Sequence, residues 1–265
     1  MLPVVLSIAG SDSGGGAGIQ ADLKAMHTLK VWGTTALTCV TAQNLNGVIA
    51  IQPVETDIVA KQIQAVCEDF PVKVAKIGML YSKEIIEIVS KMIDKFSIPQ
   101  IVLDPVMIAT SGSLLLLPES IELLQKELFP KATLITPNIH EASQLAGTKL
   151  SKLEEVKISI KKLYNKYMTP ILIKGGHLEK NKAIDIFYDG KNIHFFTGEY
   201  HEAPFTHGTG CTLSSAIASY LALGNSLLES IKKAKNFVEK AIKNYVVFSK
   251  NSGALNVFND WSIND

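Results

Sequence analysis

The sequence predicts an α/β fold with a mainly parallel central sheet, helices on both faces and hairpins at the edges. Short β-branched runs alternate with longer helical patterns along most of the chain, and no linker, low-complexity tract or internal repeat interrupts them. Composition agrees: 265 residues, 47% hydrophobic and 19% charged, can bury a large core without metal or disulfide staples. The same figures exclude a disordered, collagen-like or coiled-coil chain. One domain spanning 1–265 is expected.

The first strand is expected at Val4–Ala9. No Lys or Arg precedes it and it runs straight into glycine-rich sequence, so it reads as a buried strand and not a signal peptide. Residues Thr34–Val54 hold two strand-like stretches around Gln43-Asn44-Leu45-Asn46-Gly47, a hairpin added to the sheet edge that could cover a pocket. Further strands are expected at Lys73–Ile77, Gln100–Leu103, Thr133–Thr136 and Ile171–Lys174. Between them Ile85, Ile88, Val89, Met92, Ile93 and Phe96 form one stripe of a helix packed on the sheet. Ala183–Phe196 alternates around Asp189-Gly190, a type I′ turn signal, and reads as an antiparallel hairpin. The last long pattern, Ile231, Ala234, Phe237, Val238, Ala241, Ile242 and Tyr245, leaves Lys232, Lys233, Lys235, Lys240 and Lys243 on a solvated face.

Charge narrows the partners. With 26 Lys+Arg against 25 Asp+Glu the net charge is +1, so nothing global recruits nucleic acid or an anionic membrane, and any bound anion must be held locally. No apolar run approaches the ~20 residues of a membrane helix. Cys39, Cys67 and Cys211 are odd in number and show no C-x-x-C pairing, which points to free thiols in a reducing, cytoplasmic compartment. His27, His140, His177, His194 and His201 show no paired-ligand spacing.

In open α/β sheets ligands gather beyond the carboxyl ends of the strands, so the loops there carry the functional signal. Gly10–Gly18 holds five glycines in nine residues and opens a helix, allowing close backbone approach to a ligand; it matches neither the P-loop nor the Rossmann fingerprint. His207-Gly208-Thr209-Gly210-Cys211-Thr212 opens another helix, whose amides suit a transferring phosphoryl group. A cysteine there is expected to have a depressed pKa and could accept a proton as thiolate, although an inert buried thiol in a tight turn fits an isolated cysteine better. Asn138 and Glu141 share a helix face, and serve equally as a capping box or as a carboxylate near magnesium. Lys174, leaving a buried strand before two glycines, is placed to reach a phosphate. Asp104-Pro105 offers a second carboxylate or a plain turn starter.

Eight segments in order along the chain then resemble one family. They are Ala9–Asp12, Gly15–Lys24, Thr41–Asn44, Lys76–Leu80, Val102–Met107, Ile135–Asn138, Lys174–His177 and His207–Ser214. Together they resemble the hydroxymethylpyrimidine/phosphomethylpyrimidine kinases of thiamine biosynthesis, in the ribokinase-like superfamily. The resemblance implies a three-layer ribokinase-like fold, ATP and Mg2+ as cofactors, a small pyrimidine substrate and a homodimer. It places Gly10, Ala17, Asp22, Gln43, Met79 and Val106 on the substrate, and Lys174, Asn138 and Thr209 on ATP. It puts Asp104 and Glu141 near the metal, and makes Gly208, Thr209, Gly210 and Cys211, with Lys174, the catalytic set. Gln43 can give and take hydrogen bonds at an aminopyrimidine edge, whereas related bacterial pyridoxal kinases tend to carry methionine there. The expected activity is therefore phosphorylation of the pyrimidine and of its monophosphate, with pyridoxal kinase as the alternative and a silent vitamin-binding protein as a third reading. Residues Ser252–Asn256 match the relatives' glycine-proline stretch only loosely.

Overall fold

The computed structural model describes residues 1–44, 47–109, 112–175, 182–199, 207–249 and 252–258. The first half runs β1 (Val4–Asp12), α1 (Gly18–Thr28), β2 (Trp32–Asn44), β3 (Gly47–Pro53), α2 (Thr56–Asp69), β4 (Val72–Ile77), α3 (Lys83–Phe96) and β5 (Gln100–Leu103). The second half adds α4 (Ile121–Glu127), β6 (Leu134–Ile135), α5 (Ile139–Ala146), α6 (Leu153–Tyr167), β7 (Ile171–Lys174), β8 (Lys182–Tyr188) and β9 (Ile193–Glu199). It closes with α7 (Thr209–Ala222), α8 (Leu227–Lys243) and a small ribbon of β10 (Val246–Ser249) and β11 (Ser252–Ala254).

Nine strands make one sheet in the order β3-β2-β1-β4-β5-β6-β7-β8-β9. The run from β2 to β7 is parallel, while β3, at one edge, and the β8–β9 hairpin, at the other, join antiparallel. Strand order reverses between β1 and β4, which opens a crevice above their carboxyl ends.

Alternation along the strands divides the core into two layers. Leu6, Ile8, Ala75, Ile77, Ile101 and Leu103 meet the helices α2 to α6. Val5, Val74, Val102 and Leu172 point the other way, to α1, α7 and α8. Ser7 and Lys76, two positions along from Val5 and Val74, therefore share the α1 and α7 side. The three-layer α/β expectation holds, and among the described residues no helix is long and apolar enough to cross a membrane.

Three local expectations need correction. The Thr34–Val54 segment is not simply an added hairpin: β2 pairs along its length in parallel with β1, from Val4 opposite Trp32 to Asp12 opposite Thr41, and only β3 is the antiparallel addition. The β8–β9 turn is not a two-residue type I′ turn. Tyr188 faces Ile193, and Asp189 Oδ1 accepts the amides of Lys191 and Asn192 at 2.7 and 2.6 Å, so the aspartate side chain closes a four-residue loop. Lys235 does not lie on a solvated face, because it reaches across to pair with Asp185 of β8. His177 and His201 fall outside the described residues.

Candidate active site

The glycine-rich loop after β1 is organised by Asp12. Its Oδ1 accepts the amide of Gly14 at 2.8 Å, and its Oδ2 accepts those of Gly16 and Ala17 at 3.1 and 2.8 Å. Burial opposes the charge of this carboxyl, but the His207 ring and the Ala17 and Gly14 amides outweigh it and hold Asp12 below the usual range. The loop ends on Gly18 at φ +56°, where a Cβ would stand 2.4 Å from the Gly10 carbonyl oxygen.

The second loop docks on the first. Gly208, at φ +81°, caps α7, and with Gly210 and Cys211 it brings the first turn of that helix to the cavity wall. Cys211, in this first turn, also receives a hydrogen bond from the backbone of Gly18, so its sulfur stands where the N-termini of α1 and α7 meet. The expected thiolate is corrected here. Desolvation pushes the Cys211 thiol up, and although Lys76 pulls it down, Asp22 and Asp104 add to the rise. Loss of water outweighs the pull of Lys76 and of the Gly18 backbone.

Asp22 is also corrected. It is fully buried and does not line the cavity; its oxygens accept Ser7 Oγ and Ser215 Oγ at 2.6 Å each and Lys76 Nζ at 2.8 and 2.9 Å. With both oxygens engaged, it organises the floor beneath the cavity. Lys76, equally buried, carries its ammonium into this network and also reaches the cavity wall. Burial weakens its charge, but Asp22 more than restores it and holds the lysine firmly protonated.

On the far rim Lys174 Nζ lies 2.7 Å from Asp104 Oδ1, which also accepts Thr136 Oγ1 at 3.2 Å. The Asn138 capping box forms in full, its oxygen taking the amides of His140 and Glu141 at 2.9 Å each while Glu141 Oε2 takes the Asn138 amide at 2.7 Å. The cap does not withdraw them from the cavity, since Asn138 and Glu141 also line it. Burial raises the Glu141 carboxyl to about 7, with Lys174 opposing the rise and Asp104 reinforcing it.

These groups surround one cavity of about 170 Å³. Gly10, Ala17, Gln43, Met79 and Val106 line it, as do Asp104, Lys174, Gly208, Gly210 and Cys211. Thr209 does not line it. Sequence reasoning missed Asp12, Lys76 and His207 as wall residues. His207 Nε2 stands 3.0 Å from Asp12 Oδ2 and 3.2 Å from the Gln43 amide nitrogen, and its place directly before Gly208 was the available signal.

Two carboxylates offer hard oxygen donors, the set magnesium uses when phosphate oxygens and water complete its octahedron. Asp104 and Glu141 thus fit a metal that arrives with a nucleotide.

The phosphomethylpyrimidine kinase family model matches residues 12–256. A hydroxymethylpyrimidine/phosphomethylpyrimidine kinase of Bacillus subtilis is 41% identical over 96% of this chain and 94% of its own. A thiamine biosynthesis bifunctional protein of Geobacter sulfurreducens is 42% identical over 95% of this chain, which spans only 51% of that longer protein. Among solved structures, a Staphylococcus aureus pyridoxal kinase in complex with AMP-PCP and pyridoxal superposes with a TM-score of 0.89 at 35% identity, covering 97% of this chain and 94% of that one.

Proposed function

This chain belongs to the phosphomethylpyrimidine kinase family, and from that premise we propose how its cavity works. The chain is an ATP-dependent hydroxymethylpyrimidine/phosphomethylpyrimidine kinase of thiamine biosynthesis, acting on 4-amino-5-hydroxymethyl-2-methylpyrimidine and on its monophosphate. The observation that carries the site assignment is that one cavity joins a side-chain amide, Gln43, to a phosphate-handling set, Lys174, Cys211 and the start of α7.

In this reading the pyrimidine lies against Gly10, Ala17, Gln43, Met79 and Val106, with its hydroxymethyl group toward Cys211. The γ-phosphoryl group of ATP sits before the α7 amides, which neutralise its developing charge together with Lys174. When bound between Asp104 and Glu141, Mg2+ would neutralise phosphate charge. The substrate oxygen attacks phosphorus in line, ADP leaves, and the hydroxyl proton passes to Cys211 Sγ. Because burial keeps that thiol mostly protonated, the proton acceptor is a minority thiolate, and most of the rate comes from positioning. By the family resemblance the working enzyme is one catalytic domain assembled as a cytoplasmic homodimer.

Pyridoxal kinase is the second reading, favoured by the superposition on the Staphylococcus aureus enzyme. ADP release with magnesium and ATP, run on hydroxymethylpyrimidine, its monophosphate and pyridoxal, separates the two. Turnover of the first two with little on pyridoxal is expected. A preference for pyridoxal overturns the substrate assignment.

A further inference from the structure

Three side chains at the substrate end make contacts that cannot all be satisfied as they stand. His207 Nε2 is 3.0 Å from Asp12 Oδ2 and 3.2 Å from the amide nitrogen of Gln43. One ring nitrogen either donates or accepts, and toward a carboxylate it must donate. Asp12 is already an acceptor for the Gly16 and Ala17 amides through the same oxygen. The hydrogen on Nε2 is therefore fixed, and an amide nitrogen facing it is mismatched.

The other end of the amide shows the same fault. Gln43 Oε1 lies 3.3 Å from Thr41 Oγ1, whose single hydrogen already goes to the Ser11 carbonyl at 2.7 Å. Two acceptors then face each other. The two ends of a side-chain amide have nearly the same shape, so half a turn about its terminal bond moves no heavy atom far and repairs both contacts at once. His207 then donates to Asp12 and to the Gln43 oxygen, and Gln43 donates to Thr41, which donates to Ser11. The chain is complete.

We propose that the Asp12–His207 pair is a positioning device that fixes which end of the Gln43 amide faces which wall, and thereby selects an aminopyrimidine edge. In the fixed orientation one amide hydrogen and one oxygen lone pair remain for the cavity. They complement a ring nitrogen beside an exocyclic amine, the pattern hydroxymethylpyrimidine presents and pyridoxal lacks. His207 acts through Gln43, and the inference rests on the kinase reading above for its substrate.

The test compares wild type with His207→Leu and His207→Gln, whose amide N–H can take the place of Nε2–H. In His207→Leu, KM for hydroxymethylpyrimidine is expected to rise about tenfold or more, kcat to change less than KM, and KM for pyridoxal to shift little. His207→Gln is expected to recover most of the loss. An equal loss on both substrates, or no recovery by glutamine, overturns the proposal. Independently of variant folding, long-range 1H–15N spectra of the histidine-labelled, ligand-free wild type are expected to show His207 carrying its hydrogen on Nε2. A bare Nε2 overturns it too. Wild type that turns over neither substrate sinks the functional reading alone, because the spectrum still decides the positioning pair.

Discussion

A Cβ at position 208 would lie 1.7 Å from the carbonyl oxygen of Gly16, so the two glycine-rich loops meet backbone to backbone. That closeness brings the starts of α1 and α7 together over Cys211. It also leaves no room for any side chain at the cap of α7.

Gly208→Ala is therefore expected to cost about 2–4 kcal/mol, combining a left-handed φ with an unavoidable backbone clash. Gly147→Ala is the control: φ is +66°, yet nothing lies within 4 Å, so only about 1 kcal/mol of strain is expected. Urea unfolding of both variants compares the costs. Equal losses would mean that the loops separate easily.

Cys211→Ala is expected to lower kcat about 100-fold or more while KM for ATP changes little. Because burial pushes the thiol up, the reactive thiolate grows as pH rises, so wild-type kcat should climb from pH 6.5 through 9, within about two units of a thiol's ordinary value. The alanine variant should lose that climb. A variant with near-wild-type turnover, or an unchanged pH profile, removes Cys211 from the proton transfer.

Lys174→Met strips the cation from Asp104, which is 2% exposed. Expected are a lower Tm and a turnover loss of about 100-fold or more, since a buried carboxylate loses its partner and the γ-phosphoryl group loses a charge. Adding Asp104→Asn should restore much of the Tm and none of the turnover. If the double variant recovers activity with stability, Lys174 serves the fold and not the phosphate.

Lys76→Met leaves the Asp22 carboxylate buried against two serine hydroxyls, at an expected cost of about 3–5 kcal/mol. Lys76→Met with Asp22→Asn should cost less than the sum of the single changes, as a double-mutant cycle by denaturant unfolding would read. Additive losses would show that the two charges act separately.

Much of this was legible in the sequence because the signals are local. Strand and helix periods, the glycine-rich runs and the Asn138–Glu141 cap are each written within a few residues. What stayed hidden depends on partners far along the chain. Asp22 looked like a substrate ligand until Lys76, Ser7 and Ser215 enclosed it, and no local pattern announces a contact of 193 positions. His207 passed unremarked because its partners, Asp12 and Gln43, come from β1 and β2. For Cys211 the helix terminus was read correctly and the desolvation was not, since burial is a property of the whole fold. The β2 strand was misread because one long strand serves two neighbours, a parallel one and an antiparallel one.

The Ser215 hydroxyl that completes Asp22 has a temporal meaning. A chain emerging from the ribosome exposes Asp22 and Lys76 early, yet α7 follows only after about 10–40 s of translation at ordinary rates. Until then the floor beneath the cavity lacks its last polar partner and the N-terminal half has no α7 to close over it. In the kinase reading, competence for phosphoryl transfer thus arrives late in synthesis, because a nascent chain cut short before α7 already carries Lys174, Asp104 and Glu141 but lacks Cys211 and the helix start around it.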